Sequence, residues 1–550
     1  MQADVRPDTW PAAPDDGVPD LPLPGGYKVT GGVGGISFGL DELRRAASLL
    51  LAVSADASAL HGSAGALRAE LEWIAFRPGG CYPAEAAEDL RAAGCSIAAD
   101  ADELQATASL LRLAADQYDA MEAASLAAVH AAASSRAWFG GFLLRAALLS
   151  GGLPAAVPAA AGQLAASEQR ADAKGLRNVL EETIGTAPEY AGALAGLPPG
   201  VAGLLLQDQS RGGLQASPLA LRLALWSRGF ADAVQLFHPG SLRMERLDAG
   251  PGGVRLQPGS IDSMFAGVAD AYGRAGPGPD PASVVEIRTV DRGDGTRAVV
   301  VDLPGTEVWN PPDSANLFDL ESDLEGMTSP AAASAGKTAM VQELVRRALR
   351  DAHVGARDAV ILNGHSGGGI HALALASDPA FLAEFNVRMV NVAGAPGGYF
   401  PVGQGVKVLA LENVDDPVTA LDAMPNPDRK DFVTVTSPRR SAAPVVSLAG
   451  RIAAAHSFDA YREDARLLDR STNLSVLAHR AELAALLGPS AAAGTAAVQR
   501  FVYRGTDVND APLPPARSAA APTRSAAVPP PTRTAAAPRG PRRARPDEPR

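Results

Sequence analysis

Gly364, Ser366 and Gly368 alternate between an apolar run, Ala359-Val360-Ile361-Leu362, and a helix-like segment, Ile370-His371-Ala372-Leu373. A strand, a tight turn and a helix in that order lift one serine hydroxyl above the end of a sheet. The flanking glycines leave room where two backbones crowd. The chemistry open to such a serine is nucleophilic attack on a carbonyl carbon. The amide of Gly367, at the helix start, would then face the oxygen on which negative charge develops.

A serine is a weak nucleophile until a histidine takes its proton, and the histidine needs an acid to fix its tautomer and balance its charge. On this kind of scaffold the three follow the chain order serine, acid, histidine. Only His456 and His479 follow the buried strand pattern at residues 406–411. His456 sits between an apolar segment and a helix, where a loop can lower its ring over the sheet. His479 lies inside the helical pattern of residues 476–487, so His456 is preferred. His365 and His371 flank the elbow and read as packing or hydrogen-bonding groups around it.

For the acid, Glu412-Asn413-Val414-Asp415-Asp416-Pro417-Val418 directly follows a strand, where side chains emerge at the carboxyl end of a sheet. Asp416, held by the rigid Pro417, is preferred. Asp415 points the other way on an extended chain and is expected to face solvent or cap the loop. A second oxyanion donor is expected from Asp302-Leu303-Pro304-Gly305-Thr306, where Thr306 offers an amide and a hydroxyl. The same residues also suit an ordinary Pro-Gly turn.

Taken in order, Pro304-Gly305-Thr306, Gly364-His365-Ser366-Gly367-Gly368, Ala393-Gly394-Ala395-Pro396-Gly397, Asp416-Pro417-Val418 and His456 resemble the α/β-hydrolase superfamily, and within it the class 3 lipases. The resemblance covers residues 284–460. It implies an α/β-hydrolase sheet with flanking helices and a serine esterase or lipase acting on carboxylic esters or lipids. Ser366, His456 and Asp416 would form the triad, Gly367 and Thr306 the oxyanion hole, with no metal or other cofactor. The sequence departs from that family at Gly367, where a larger residue is common, and in its long helical N-terminal half. Hydrolysis, acyl transfer and an inactive scaffold all remain compatible with the motifs.

The elements that must hold these residues begin at Ser283. Strand-like runs 284–290 and 297–303 flank Gly293-Asp294-Gly295, a hairpin turn. Helix 339–352, strand 359–362, helix 368–376, strand 387–392, strand 406–411, strand 431–436 and helices 458–468 and 476–487 follow, with 497–503 as a last edge strand. This makes residues 281–508 the catalytic domain. Residues 126–280 read as a helical accessory or cap region, and residues 1–39 and 509–550 as disordered leader and tail.

Between Asp41 and Tyr118 the period is helical. Ala46, Val53, Leu60, Leu67 and Ile74 recur every seven residues, beside Leu43, Leu50, Ala57, Ala64 and Leu71. After Arg77-Pro78-Gly79-Gly80 the rhythm resumes with Leu90, Ile97, Leu104 and Leu111, interleaved with Gly94, Ala101, Ala108 and Ala115. Two long helices joined by a short turn pack antiparallel. Together with Tyr118-Asp119-Ala120-Met121-Glu122, this hairpin over residues 40–125 resembles the substrates of type VII (ESX) secretion. It lacks their Trp-x-Gly turn. The resemblance implies a secretion machine or helical partner and export without a signal peptide; a cytoplasmic location is the alternative.

Composition bounds the rest. A formal charge of −12 argues against a whole-protein nucleic-acid role. Residues 1–26 lack the basic start and apolar core of a secretory signal. The apolar stretch 137–162 is broken by Arg145, Pro154 and Pro158, so a buried or interfacial helix is expected before a membrane span, and membrane-surface contact stays open. Cys81 and Cys95 are read as separate thiols.

Overall fold

The computed structural model of this chain describes residues 23–74, 76–77, 82–201, 240–249, 256–275, 283–309, 314–332, 338–440, 447–489 and 498–509. Among these the strands are β1 (Lys28–Gly31), β2 (Gly240–Leu247), β3 (Ser283–Asp291), β4 (Arg297–Leu303), β5 (Ala359–His365), β6 (Asn386–Ala393), β7 (Lys407–Asn413), β8 (Phe432–Ser437) and β9 (Val498–Asn509). They form one sheet in the order β1-β8-β7-β6-β5-β4-β3-β9-β2. The helices are α1 (Ile36–Ile74), α2 (Ala84–Lys174), α3 (Leu176–Ala195), α4 (Ile261–Ala275), α5 (Leu320–Ala332), α6 (Met340–Asp351), α7 (Gly367–Leu375), α8 (Pro379–Glu384), α9 (Leu448–Ala455), α10 (Phe458–Leu468) and α11 (Leu474–Leu487).

Strands β4 to β8 run parallel and the others pair antiparallel. The parallel centre is buried on both faces, which is why β5 reads as a continuous apolar run rather than an alternation. On one face Val299, Val301, Val360 and Leu362 pack against Val341, Leu344 and Leu349 of α6 and Leu373 of α7. On the other, Val300 and Ile361 meet Met264 of α4 and Leu483 and Leu487 of α11, while Leu409 and Val433 meet Phe265, Tyr461 and Val476. The chain is thus an α/β protein with a helical N-terminal region. The carboxyl ends of β4, β5, β6 and β7 open on one edge, where loops are free to carry chemistry.

Several expectations change. Residues 28–31, expected in the disordered leader, form an edge strand registered from Lys28 opposite Thr436 to Gly31 opposite Val433. The Tyr27 hydroxyl anchors it by donating to Asp464 at 2.5 Å. The region read as helical accessory contributes β2 and α4 to the α/β body, so residue 281 is not the body's first boundary. The last strand is twelve residues long and lies between β3 and β2 rather than at the edge. Residues 1–22 and 510–550 lie outside the described residues, as does Cys81, while Cys95 is exposed.

The helical hairpin also differs in detail. Its seam is built from small residues, with Ala47 and Ala108 fully buried and the Ser54 hydroxyl donating to the Ala101 carbonyl at 2.8 Å. His61 Nδ1 meets the Gly94 carbonyl at 2.7 Å, continuing the same antiparallel register in seven-residue steps. Alanine and glycine let the backbones approach so closely that one of the two apolar rows is left outside: Val53, Leu60 and Leu67 are 53%, 57% and 52% exposed. The second helix does not stop near residue 125. It continues to Lys174 through a break at Gly152 (φ 60°, ψ −150°), followed by Pro154 and Pro158. The apolar stretch expected to be a buried or interfacial helix is largely exposed, including Phe139, Leu149 and Leu153; within α2 an 18-residue window of mean hydropathy 1.4 meets the length and composition for a membrane span.

Candidate active site

β5 delivers Ser366 into a turn with φ 51° and ψ −124°, a conformation that costs a side-chain-bearing residue strain and persists only when its surroundings enforce it. The enforcement is visible. A Cβ on Gly364 would collide with the Gly368 backbone, and one on Gly368 would collide with the carbonyls of Leu303 and Pro304. The Ser366 amide donates to the Ala393 carbonyl at 2.9 Å, tying the turn to β6. α7 then starts at Gly367.

His456 follows the last turn of α9, and its Nε2 lies 2.8 Å from Ser366 Oγ. Its Nδ1 lies 2.8 Å from Asp416 Oδ2. Asp416 ends β7's exit loop and is fully buried; its Oδ1 accepts from the Val418 amide at 3.0 Å and its Oδ2 from the Tyr461 hydroxyl at 2.6 Å. Two donors besides the imidazole therefore hold this carboxylate, and burial with the adjacent Asp416 keeps the Tyr461 phenol well above its ordinary pKa, hence protonated. In this arrangement His456 Nε2 can take the Ser366 proton while Asp416 fixes the Nδ1–H tautomer. Ser366, Asp416 and His456 are thus brought together.

Of the two settings expected for Asp415, solvent or a cap on the loop, exposure to solvent is ruled out: the carboxylate is buried, accepts from the Leu176 amide at 3.3 Å and is gripped by Arg451 at 2.8 and 3.0 Å. The neighbouring helical arm joins the clasp: Arg451 also reaches Asp172 at 2.7 Å, the Arg177 amide donates to the Val414 carbonyl at 3.0 Å, and the Arg177 guanidinium lies 3.1 Å from Glu412.

The other histidines have structural partners. His479 lies 2.8 Å from Asn391 Oδ1, at the end of a buried chain in which Asn391 donates to Asn363, Asn363 to Asp302, and Arg288 to Asp302. This chain crosses β3, β4, β5 and β6 below the elbow. Burial pushes His479 down to about 3, and His371, bonded to Ser322 Oγ at 2.7 Å, likewise to about 3. His365 is held neutral by burial and by the neighbouring His456. It bridges the Tyr272 hydroxyl, 2.8 Å from Nδ1, and the His456 carbonyl, 3.2 Å from Nε2. The same tyrosine oxygen accepts from the Gly305 amide at 2.5 Å. A strut of two side chains thus links the loop of Thr306 to the backbone of His456.

Thr306 and Gly367 meet at one place, since a Cβ on Gly367 would lie 3.0 Å from Thr306 Oγ1. The Thr306 hydroxyl donates to Asp323 Oδ2 at 2.6 Å. Asp323, on α5, was not singled out in the sequence; Phe318-Asp319-Leu320-Glu321-Ser322-Asp323 follows no strand and carries no motif. Burial pushes its carboxyl up to about 7, with Thr306 and His456 pulling down and Asp319 pushing up. Comparison with protein-family models, with curated proteins and with solved structures finds no match for this chain.

Proposed function

We propose that this chain is a serine hydrolase of the α/β-hydrolase type that cleaves carboxylic esters, with lipase-like chemistry. The carrying observation is the unbroken hydrogen-bond chain from Ser366 Oγ through the His456 ring to Asp416, each link 2.8 Å. Ser366 attacks the ester carbonyl carbon and its proton passes to His456 Nε2. The carbonyl electron pair collects on oxygen, facing the amides of Gly367 and Thr306. Collapse expels the alcohol, which takes the proton back from His456. Water then repeats the sequence on the acyl-enzyme. The test is hydrolysis of p-nitrophenyl esters of graded acyl length by the full chain: turnover that Ser366→Ala abolishes supports the reading, and turnover that survives in that variant overturns it.

A second reading concerns the helical hairpin, and the exposed row Val53, Leu60 and Leu67 favours it. A seven-residue apolar row left outside the seam suits a helical partner, and the type VII-like features would make that partner part of an export route that leaves the protein secreted. Replacing the three residues by Gln should abolish export while ester turnover persists; unchanged export rejects this reading and leaves the first untouched.

A further inference from the structure

Thr306 and Asp323 share one hydrogen bond over the elbow, and the hydroxyl has a single hydrogen to give. Facing a carboxylate, which only accepts, Thr306 must spend that hydrogen on Asp323. Facing a neutral carboxyl, it can accept a hydrogen and turn its own toward the cleft. We propose that Asp323 gates the oxyanion site in this way: its neutral acid points the Thr306 hydroxyl at the substrate oxygen, and its carboxylate turns that hydroxyl away. The gate rests on the ester-hydrolase reading.

The geometry puts both groups where the charge would develop. A Cβ on Gly367 would collide with Asp323 Oδ1 and lie 3.0 Å from Thr306 Oγ1, so the carboxyl and the hydroxyl sit over the residue that follows the nucleophile. This also bears on the glycine at position 367, since a Cβ there would force the Asp323 carboxyl to shift. Among the described residues no Lys or Arg pairs with Asp323. The groups that act on it are Asp319 just before its own helix, Thr306 on the oxyanion loop and His456, and Tyr272 of α4 feels its charge; His371 of α7, bonded to the adjacent Ser322, is held neutral by burial. Burial raises the Asp323 carboxyl to about 7, which lets both states exist near neutral pH. No proton leaves Asp323 during turnover. The Ser366 proton goes to His456, and the Thr306 hydrogen only changes the oxygen to which it is donated.

The test is the pH dependence of kcat/KM for p-nitrophenyl butyrate with the full chain, alongside fluorophosphonate labelling of Ser366. The wild type is expected to lose activity above about pH 7, by roughly tenfold or more at about pH 9. Asp323→Asn carries an amide that can donate at every pH, so its alkaline limb disappears. Glu307, pushed up to about 7 by burial, is the competing source, and Glu307→Gln should keep the wild-type limb. An alkaline limb that persists in Asp323→Asn, or vanishes in Glu307→Gln, overturns the gate. Should Asp323→Asn fail to fold, Thr306→Ser must keep the limb and Thr306→Val must lose it; the reverse rejects the gate. A wild type that neither labels nor hydrolyses removes the hydrolase reading and the gate together, whereas one that labels and hydrolyses with no alkaline limb removes the gate alone.

Discussion

Arg451 grips Asp415 through two nitrogens, at 2.8 and 3.0 Å, and so ties the helix that ends at His456 to the loop that carries Asp416. The two residues lie outside the proposed proton path, yet they tie the segment of Asp416 to that of His456. Arg451→Met leaves Asp415, which is 1% exposed, buried without its partner. A stability loss of about 2–4 kcal/mol is expected from denaturant unfolding. Ester turnover should fall about tenfold in kcat with KM little changed. Wild-type kcat in a folded variant contradicts the coupling.

Asp416→Asn keeps the shape of the acid but permits the wrong imidazole tautomer. The expected loss in kcat is roughly 10⁴-fold. Tyr461→Phe removes one donor to the same carboxylate, 2.6 Å from Oδ2, and should cost only about tenfold. Steady-state kinetics on both variants checks the order; an unchanged kcat in Tyr461→Phe would deny Tyr461 its supporting role.

The Tyr272 hydroxyl accepts from Gly305 and meets His365. Tyr272→Phe leaves a buried amide and a buried imidazole without that partner, at a cost of about 1–3 kcal/mol. Because the strut ends on the loop of Thr306 and on the backbone of His456, kcat should drop more than stability alone explains at temperatures where the variant is fully folded. Unchanged kcat in a destabilised variant assigns the strut to folding only.

Burial pushes Asp422, whose oxygens accept from the Tyr399 and Met424 amides, up to about 7. A carboxyl with a raised folded pKa binds its proton more tightly in the folded state. Its contribution is therefore fully present below the unfolded value near 4 and is lost as pH rises to about 7. Between those values the wild type should lose stability relative to Asp422→Asn at about 1.4 kcal/mol per pH unit, read by urea unfolding at several pH values. A pH-independent difference contradicts the assignment.

Much of the α/β body was legible because its signals are local. The buried runs of β5 and β7 and the glycines around Ser366 need no partner to be read, and the order of serine, acid and histidine along the chain narrows the choice of partners. What was hidden depends on distant contacts. β1 exists because β8 offers an open edge to Lys28-Val29-Thr30, and β2 because β9 pairs with it along its length. Asp323 carries no motif, and its position over Gly367 comes from the packing of α5 on α7. The hairpin was legible in its small row and hidden in its large one. The small row Gly94, Ala101 and Ala108 brings the backbones together against Ala47, Ser54 and His61, and that close approach, a contact between two helices, leaves Val53, Leu60 and Leu67 outside.

The central claim is that Ser366 is a nucleophile activated by His456. Its most direct test is the site of covalent attachment of a fluorophosphonate, mapped by peptide mass spectrometry on the full chain. A single adduct on Ser366, absent from Ser366→Ala and slowed at least about 100-fold in His456→Ala, is the expected result. An adduct on another residue, or undiminished labelling of Ser366 in His456→Ala, would contradict it.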